Sequence, residues 1–168
     1  NQLAALRNSL WLAALVGVFG TLLGLLFAFT ACRANIPPKL AALMDALTLL
    51  PLVSPPFTTA IGMIFSFGPR GLITFHVLGI KGATVYGLWS TLFSEVLTFF
   101  PIAYLALKPM LGAIDSNIER MALSLGAGRI RVFRTVTLPL CVPGLANSFL
   151  LLFAASLADF ATPLILAG

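Results

Sequence analysis

The sequence predicts an all-α integral membrane protein, built as a polytopic helix bundle with about four spans. Of its 168 residues, 60% are hydrophobic and only 9% are charged, and the mean hydropathy is +1.05. The charged residues stand between long apolar runs. A chain with so few polar side chains cannot cover its surface in water, so lipid must be the solvent for most of it. A soluble domain is therefore excluded.

The first span is expected over residues 8–32, between Arg7 and Arg33, because a helix needs ~20 mostly apolar residues to cross the hydrocarbon. Gly20 and Gly24 lie one helical turn apart within it. That spacing would let a second helix approach closely, although membrane helices also tolerate glycine without such a contact.

The second span is expected over residues 44–67. Pro51 and the pair Pro55-Pro56 remove backbone hydrogen-bond donors from this run. A helix here should therefore kink or split, with a neighbouring element supplying the missing partners.

The third and fourth spans complete the predicted bundle. The third is expected over residues 82–107 and carries Glu95 near its middle. The fourth begins at about Pro143, covers residues 144–166 and carries Asp159 toward its far end.

The basic residues of the connecting segments set the expected orientation, since cytoplasmic loops carry an excess of Lys and Arg. The start of the chain and residues 68–81 are expected outside, and residues 33–45 and 108–142 in the cytoplasm. The cytoplasmic set is Arg33, Lys39, Lys108, Arg120, Arg129, Arg131 and Arg134, against Arg7, Arg70 and Lys81 outside.

The cytoplasmic loop at 108–143 is too long for a plain connector, and two short helices are expected in it. Ser116 and Glu119 have the spacing of a capping box, in which the Ser116 hydroxyl accepts from the Glu119 amide and the Glu119 carboxylate reaches back. Gly126 can take the left-handed conformation that ends this helix. One apolar stripe is formed by Ile118, Met121, Ala122 and Leu125.

A second helical stretch is expected from Arg129 to Thr137, where its arginines would face lipid headgroups or an acidic partner. Pro139 and Pro143 would then turn the chain back toward the bilayer. Two interpretations of the loop stay open: an ordinary amphipathic connector, or a docking element. A two-turn helix with its own cap and stop is marginal in isolation, and makes more sense in a partner's groove.

The loop resembles a known motif. The run ERMALSLGAG at 119–128 is followed at the motif's spacing by Phe133, Val136, Leu138-Pro139-Leu140 and Pro143-Gly144. This pattern is similar to the EAA loop of membrane subunits in type I binding-protein-dependent ABC importers. The run PLVSPPFTTAIGMIFSFGP at 51–69 and the ending SLADFATPLILAG look like the ferric-iron transport branch of that family.

One position departs from the motif. Counting back from Gly126, Arg120 occupies the place of the motif's glutamate and Met121 the next place, while Ala122 keeps the expected small residue. Glu119 lies one place early. This displacement leaves the apolar stripe and the glycine turn intact, but it puts a specific glutamate contact with a partner in question.

The resemblance implies an incomplete ABC transmembrane type-1 (MetI-like) domain in a multi-pass protein of the bacterial plasma (inner) membrane. A coupling helix at 116–126 would dock into a cleft of a separate ABC ATPase subunit. That subunit would hold ATP and Mg, and this chain would bind no cofactor of its own. The implied ATPase-coupling residues are Ile118, Glu119, Met121, Ala122, Leu125 and Gly126.

The resemblance also implies further partners. A periplasmic or lipoprotein solute-binding protein would deliver the solute, and a second permease half or subunit would complete the pathway. The implied solute is ferric iron or another small solute, with polyamines and phosphonates left open. The chain is expected to be a transport subunit and not an enzyme, because it has no phosphate-binding G-x-x-x-x-G-K-[ST] loop.

Glu95 and Asp159 are the candidate substrate-pathway residues, because a carboxylate at membrane depth is costly and normally faces a cavity or a partner. Two acids without a mid-membrane base would suit a cationic solute. The alternative is structural. Glu95 would then be neutral or hydrogen-bonded to a neighbouring helix, and Asp159 would cap the outer end near Pro163.

Other functions and sites are weighed against this interpretation. An ion channel or secondary-transporter fragment without an ATPase partner would explain the spans and the acids, but not the capped helix. A membrane-embedded enzyme would need a nucleophile-base or metal-ligand set that the spans lack. Nucleic-acid binding is not expected, because the charges lie between apolar runs.

No metal site is expected, since Cys32, Cys141 and His76 match no metal-ligand spacing. The cysteines are expected to be small buried hydrophobes, and His76 to be a solvated outer-loop residue. The chain begins at Asn1, with no charged n-region or cleavage site before the first apolar run, and stops at Gly168. A piece of a longer protein is therefore expected.

Overall fold

The computed structural model describes residues 2–34, 36–55, 57–80 and 84–166, and every regular element in these ranges is helical. Four helical segments there are long and apolar enough to cross a membrane: Leu3–Arg33, Phe57–Val77, Leu88–Ala113 and Arg129–Ala158. The predicted fold class, an all-α bundle with about four spans, is confirmed. Among the positions singled out above, Asn1, Pro56, Lys81, Gly82 and Gly168 lie outside the described residues.

The centre of the bundle is made by three helices: α1 (Gln2–Arg33), α4 (Leu88–Ala113) and α7 (Leu138–Ala158). They pack against one another along most of their lengths. The fully buried side chains among them include Val16, Leu107, Leu111 and Leu152. The hydrophobic core is thus a seam between three spans.

Glycines of α1 allow the close approach that their spacing predicts. A Cβ added to Gly24 would lie 2.6 Å from the Cβ of Ala103 on α4. One added to Gly17 would lie 2.7 Å from the ring of Phe149 on α7, and one on Gly20 would overlap Leu152. Gly20 and Gly24 therefore face two different helices. At Gly24 the close atoms include the backbone of α4, so this contact requires the absence of a side chain, whereas at Gly20 the close atom is the end of the flexible Leu152 side chain.

The second predicted span is divided. Helix α2 covers Pro38–Val53 and α3 covers Phe57–Phe67. The segment long and apolar enough to cross is Phe57–Val77, so the predicted span at 44–67 is placed too early. Ser54 is extended, with ψ of 145°, because the residue before a proline avoids the helical conformation. The predicted interruption is confirmed at this point. A π-helical turn, Leu72–Val77, follows α3, so the described part of the predicted outer loop, residues 68–80, is not a plain loop.

The predicted third span, 82–107, is placed too early. Helix α4 begins at Leu88, directly after Gly87 with φ of +133°. It continues past Lys108 to Ala113, because the ammonium of Lys108 is paired with Asp45 of α2 and does not force the helix to end. The predicted loop at 108–143 is correspondingly shorter.

The predicted fourth span, 144–166, is also corrected. Helix α6 (Arg129–Val132), a π-helical stretch (Phe133–Thr137) and α7 run on without a break. Pro139 does not turn the chain back. The amide of Leu138 donates to the Phe133 carbonyl five residues earlier, and this wider turn makes room for the proline ring that follows. The helix ends at Ala158, and a separate short helix, α8, covers Ala161–Leu166.

The bundle has two chemically different ends. The C-terminal ends of α1 and α4 lie together with α5 (Ser116–Ser124) and α6. We call this the basic end, and it carries the seven residues predicted to be cytoplasmic. The opposite end carries Arg7, Arg70 and Asp159, and the amide of Gly87 there donates to the carbonyl of Leu166 at 2.7 Å.

Candidate functional site

Helix α5 begins at a side-chain cap. The Oδ1 atom of Asp115 accepts from the amide of Asn117 at 2.8 Å, which satisfies one of the free donors of the first turn. The N-cap is thus one position before the predicted Ser116, whose side chain lies outside the described residues. The predicted capping box is wrong for Glu119, whose carboxylate binds elsewhere.

Helix α5 ends in a glycine turn. Gly126 has φ of +85°, the left-handed conformation expected for it. Its amide donates to the Leu123 carbonyl at 3.0 Å, and the amide of Ala127 donates to the Ala122 carbonyl at 3.1 Å. This pair of bonds is the Schellman arrangement, which closes a helix firmly. A nine-residue helix thus has a defined start and a defined stop.

The predicted apolar stripe of α5 is turned outward. The exposed fractions are 47% for Ile118, 62% for Met121 and 88% for Leu125. Ala122 is partly buried beside them. Exposed leucine and methionine on a short helix beyond the end of the spans form an apolar patch of the kind that marks an interaction surface.

Glu119 is on the inward side of α5 and binds the end of α1. The guanidinium of Arg33 donates to the carboxylate through Nε at 2.8 Å and through Nη2 at 3.1 Å. The hydroxyl of Thr137 donates to Glu119 Oε1 at 2.8 Å, and Arg33 also reaches the Ile114 carbonyl at 3.4 Å. The Arg33 and Glu119 side chains are only 17% and 15% exposed. One carboxylate therefore joins α5 to α1 and to the fourth span.

A cleft of about 550 Å³ lies beside this ion pair. It opens between α5, α1 and the π-helical stretch, and Glu119 and Leu123 form its α5 wall. Its other lining residues are Phe29, Arg33, Ala34, Arg129, Val132, Phe133 and Thr137. The ion pair therefore stands in the wall of the cleft, where α5 meets the bundle.

A second ion pair stabilises the basic end. The Lys108 ammonium lies 2.7 and 2.6 Å from the two carboxylate oxygens of Asp45, and the Tyr104 hydroxyl also donates to Asp45. The hydrogen bonds from Lys108 and Tyr104 hold the pKa of Asp45 below its ordinary value. Because the lowered pKa favours the folded state above the pKa of the unfolded chain, this contribution is present at neutral pH and is lost on acidification.

The two candidate pathway acids lie at different depths near the opposite end. Glu95 is fully buried between α4 and α7, where the Ser156 hydroxyl donates to its Oε2 atom. Asp159 caps α8, accepting from the amides of Ala161 at 2.9 Å and Thr162 at 3.3 Å. These contacts match the structural alternative given for each acid above.

A cavity of about 300 Å³ lies next to these acids. Asp159 and Ser156 line it, together with Asn8, Ser9 and Thr91, whereas Glu95 is behind Ser156. Only Asp159 of the two acids therefore faces an open space among the described residues.

The remaining predicted residues are placed as follows. Cys141 is buried and Cys32 partly buried, with the Cys32 thiol 3.5 Å from the Lys108 carbonyl. His76 is exposed in the π-helical turn. Within the described ranges, no three metal-ligating side chains come together.

Sequence reasoning missed the partners of Glu119 and Asp45. Arg33 was counted only as a loop charge, and Thr137 and Tyr104 not at all. One signal could have indicated them: Arg33, Asp45, Lys108 and Glu119 all lie at the span ends that the topology brings to one side. No local pattern, however, specifies which acid meets which base.

Comparison with known proteins bears on this arrangement of spans and capped helix. The family model described as "Binding-protein-dependent transport system inner membrane component" matches residues 20–168. The chain belongs to this family. The sequence resemblance to membrane subunits of ABC importers is thus confirmed.

Individual relatives agree with the family. The chain is 36% identical over 167 residues to the ferric transport system permease protein FbpB of Actinobacillus pleuropneumoniae, covering 97% of the chain and 24% of that protein. It is 36% identical over 157 residues to the molybdenum transport system permease protein ModB of Escherichia coli, covering 93% of the chain and 68% of that protein. The chain thus spans about a quarter of its ferric relative's length.

A solved structure has the same fold. The MetNI methionine ABC transporter, in an inward-facing conformation, gives a TM-score of 0.71 at 20% identity. The match covers 96% of this chain and 73% of the other. The names of the relatives describe permease proteins of transport systems.

Proposed function

We propose that this chain forms part of the membrane-spanning permease component of an ATP-driven solute importer, and that residues 116–126 are its coupling helix. Helix α5 carries the proposal. It is closed at both ends, presents Met121 and Leu125 to solvent, and is fastened to the bundle through Glu119. A plain connector needs none of these three features.

The proposed partner is a separate ATPase subunit that holds ATP and Mg²⁺ and receives the exposed stripe of α5 in a groove. A helix of this size gains most from a partner when its apolar residues are anchors in a pocket. ATP can bias the permease only if this docking differs in free energy between its two states. A solute-binding protein on the opposite side and a second permease half or subunit complete the proposed assembly in a bacterial inner membrane.

Movement of α5 would be transmitted along two routes. The bond from Glu119 to Arg33 pulls on the end of α1, and the bond from Thr137 pulls on the start of the fourth span. Both α1 and α7 pack against α4. A displacement of the coupling helix would therefore reach all three central helices.

For the solute we propose ferric iron. The ferric relatives align over 97% of this chain, and the described residues that line the cavity beside Asp159 include no base, which suits a cation. Molybdate is the second candidate, because the molybdenum relative is equally identical. We propose Asp159 as a pathway residue at the cavity, and Glu95 as one that acts from behind Ser156.

The proposal is tested with the full-length permease, the ATPase and the solute-binding protein encoded beside it, reconstituted in vesicles. ATP-dependent uptake of ferric iron is expected, with no uptake of molybdate. Met121→Asp and Leu125→Asp should each reduce ATPase co-purification and uptake about tenfold or more, because a charge would be desolvated in the groove. The matched control is Leu78→Asp, which changes an exposed leucine outside the spans at the opposite end.

Three outcomes would contradict these assignments. Solute flux that follows an ion gradient without ATPase would favour the channel or secondary-transporter alternative. Uptake of molybdate and not of iron would overturn the proposed solute. Uptake unchanged by both Glu95→Gln and Asp159→Asn would remove the two acids from the pathway.

A further inference from the structure

The exposed charge around α5 has one sign. Arg120, Arg129, Arg131 and Arg134 are all exposed, and none of them forms an ion pair with another described residue. The acids of the basic end are already bound within the chain. Glu119 is paired with Arg33, Asp45 is paired with Lys108, and Asp115 accepts from the Asn117 amide.

Arg120 is the charge that sits on the coupling helix itself. Successive residues of a helix point about 100° apart, so turning Glu119 inward to Arg33 leaves Arg120 on the outer flank. Its neighbours Ile118 and Met121 are 47% and 62% exposed. Around the helix, Arg120 lies about 100° from Met121 and about 160° from Ile118. A groove deep enough to enclose the Met121 flank of α5 therefore brings one of its walls near the long Arg120 side chain.

We infer that the partner cleft that receives α5 is apolar and carries a carboxylate opposite Arg120. The inference rests on the proposed function and adds the chemistry of the partner surface. An arginine desolvated at an interface without an acid is costly, whereas a guanidinium and a carboxylate form paired hydrogen bonds. Glu119 does not contact this partner and acts as a positioning residue.

A protein acid explains Arg120 better than a lipid headgroup does. Anionic membranes attract polybasic segments in proportion to their charge, and α5 carries a single arginine among nine residues. Its apolar side chains Ile118, Met121 and Leu125 are exposed, and the helix that carries them is capped at both ends. Such a surface suits a shaped protein groove.

The test measures binding of the purified ATPase subunit, encoded beside the permease, to the full-length permease in phosphatidylcholine nanodiscs. Arg120→Glu should weaken binding about tenfold or more, because the new carboxylate would repel the partner's carboxylate. Arg120→Gln should weaken binding less, because it only removes the attraction. Raising NaCl from about 0.1 to about 0.5 M should weaken wild-type binding more than R120Q binding. Arg70→Glu, an exposed arginine of the opposite end, is the matched control and should leave binding unchanged.

The outcomes separate this inference from the proposed function. If Met121→Asp abolishes binding but Arg120→Glu leaves it unchanged or stronger, the partner site is neutral or basic and the inference fails alone. If the effect of Arg120→Glu is found only in discs that contain phosphatidylglycerol, the lipid is the partner and the inference also fails. If the wild-type chain binds no ATPase, the proposed function itself is wrong.

Discussion

At the scale of single residues, Glu119 determines how helix α5, the proposed coupling helix, is held. Its spacing from Ser116 suits a local capping contact, yet its carboxylate bonds to Arg33, 86 residues earlier in the chain. A partly buried, two-point guanidinium pair outweighs a bond to a solvated amide at a helix start. Asp115 supplies the cap instead. The local sequence pattern therefore predicted the helix correctly, but it did not predict which residue Glu119 binds.

Glu119→Gln should destabilise the folded chain by about 1–3 kcal/mol, because it removes the charge that binds Arg33 and Thr137 in a partly buried site. Thermal unfolding of the purified protein in detergent would measure the loss. Asp115→Asn is the matched control, since asparagine also caps helices, and it should change stability by less than ~0.5 kcal/mol. Equal stability of E119Q and wild type would show that the pair contributes nothing.

At the scale of the elements, small residues and prolines decide where helices meet and where they end. Pro139 and Pro143 lie inside one continuous helix, because a π-helical turn and neighbouring spans accommodate the lost donors. Pro55 ends a helix, since the extended residue before it cannot continue the hydrogen-bond ladder. The same residue type thus has opposite effects according to its surroundings.

Gly24→Ala should destabilise the contact between α1 and α4 by about 1–3 kcal/mol, because the new methyl group overlaps Ala103 and the α4 backbone. Gly62→Ala is the matched control: it is also helical, and a Cβ there meets nothing within 4 Å. It should be neutral or stabilising, since alanine favours helix. Thermal unfolding of both purified variants in detergent measures the difference in stability between them. Equal effects of the two changes would rule out a packing role for Gly24.

At the scale of the whole molecule, charge separates one end of the bundle from the other. The topology brings seven basic residues from separate helices and connecting segments to the basic end, and two ion pairs join elements there. Exposed apolar side chains cover the outer faces of the spans, including Leu22 and Leu26 of α1. These faces suit lipid or the remaining helices of a larger permease.

The basic end should face the cytoplasm, because basic loops are retained there. In a variant without Cys32 and Cys141, Arg131→Cys and Lys39→Cys should react with a membrane-impermeant maleimide only after the cells are opened. Arg70→Cys, at the opposite end, should react in intact cells whose outer membrane is permeable to the reagent. The reverse labelling pattern would invert the proposed orientation and place α5 out of reach of an ATPase.

The sequence by itself determined that lipid surrounds most of the chain, that the fold is all-helical, and that it has about four spans. It also determined that a capped helix is followed by a glycine turn. These follow from composition and short-range spacing, which act on residues a few positions apart. Only the tertiary structure decided that Glu119 binds Arg33, that Lys108 lies within a span paired to Asp45, and that Glu95 is held by Ser156. Those choices depend on which distant helices pack together, and a pattern of residues a few positions apart carries no information about that packing.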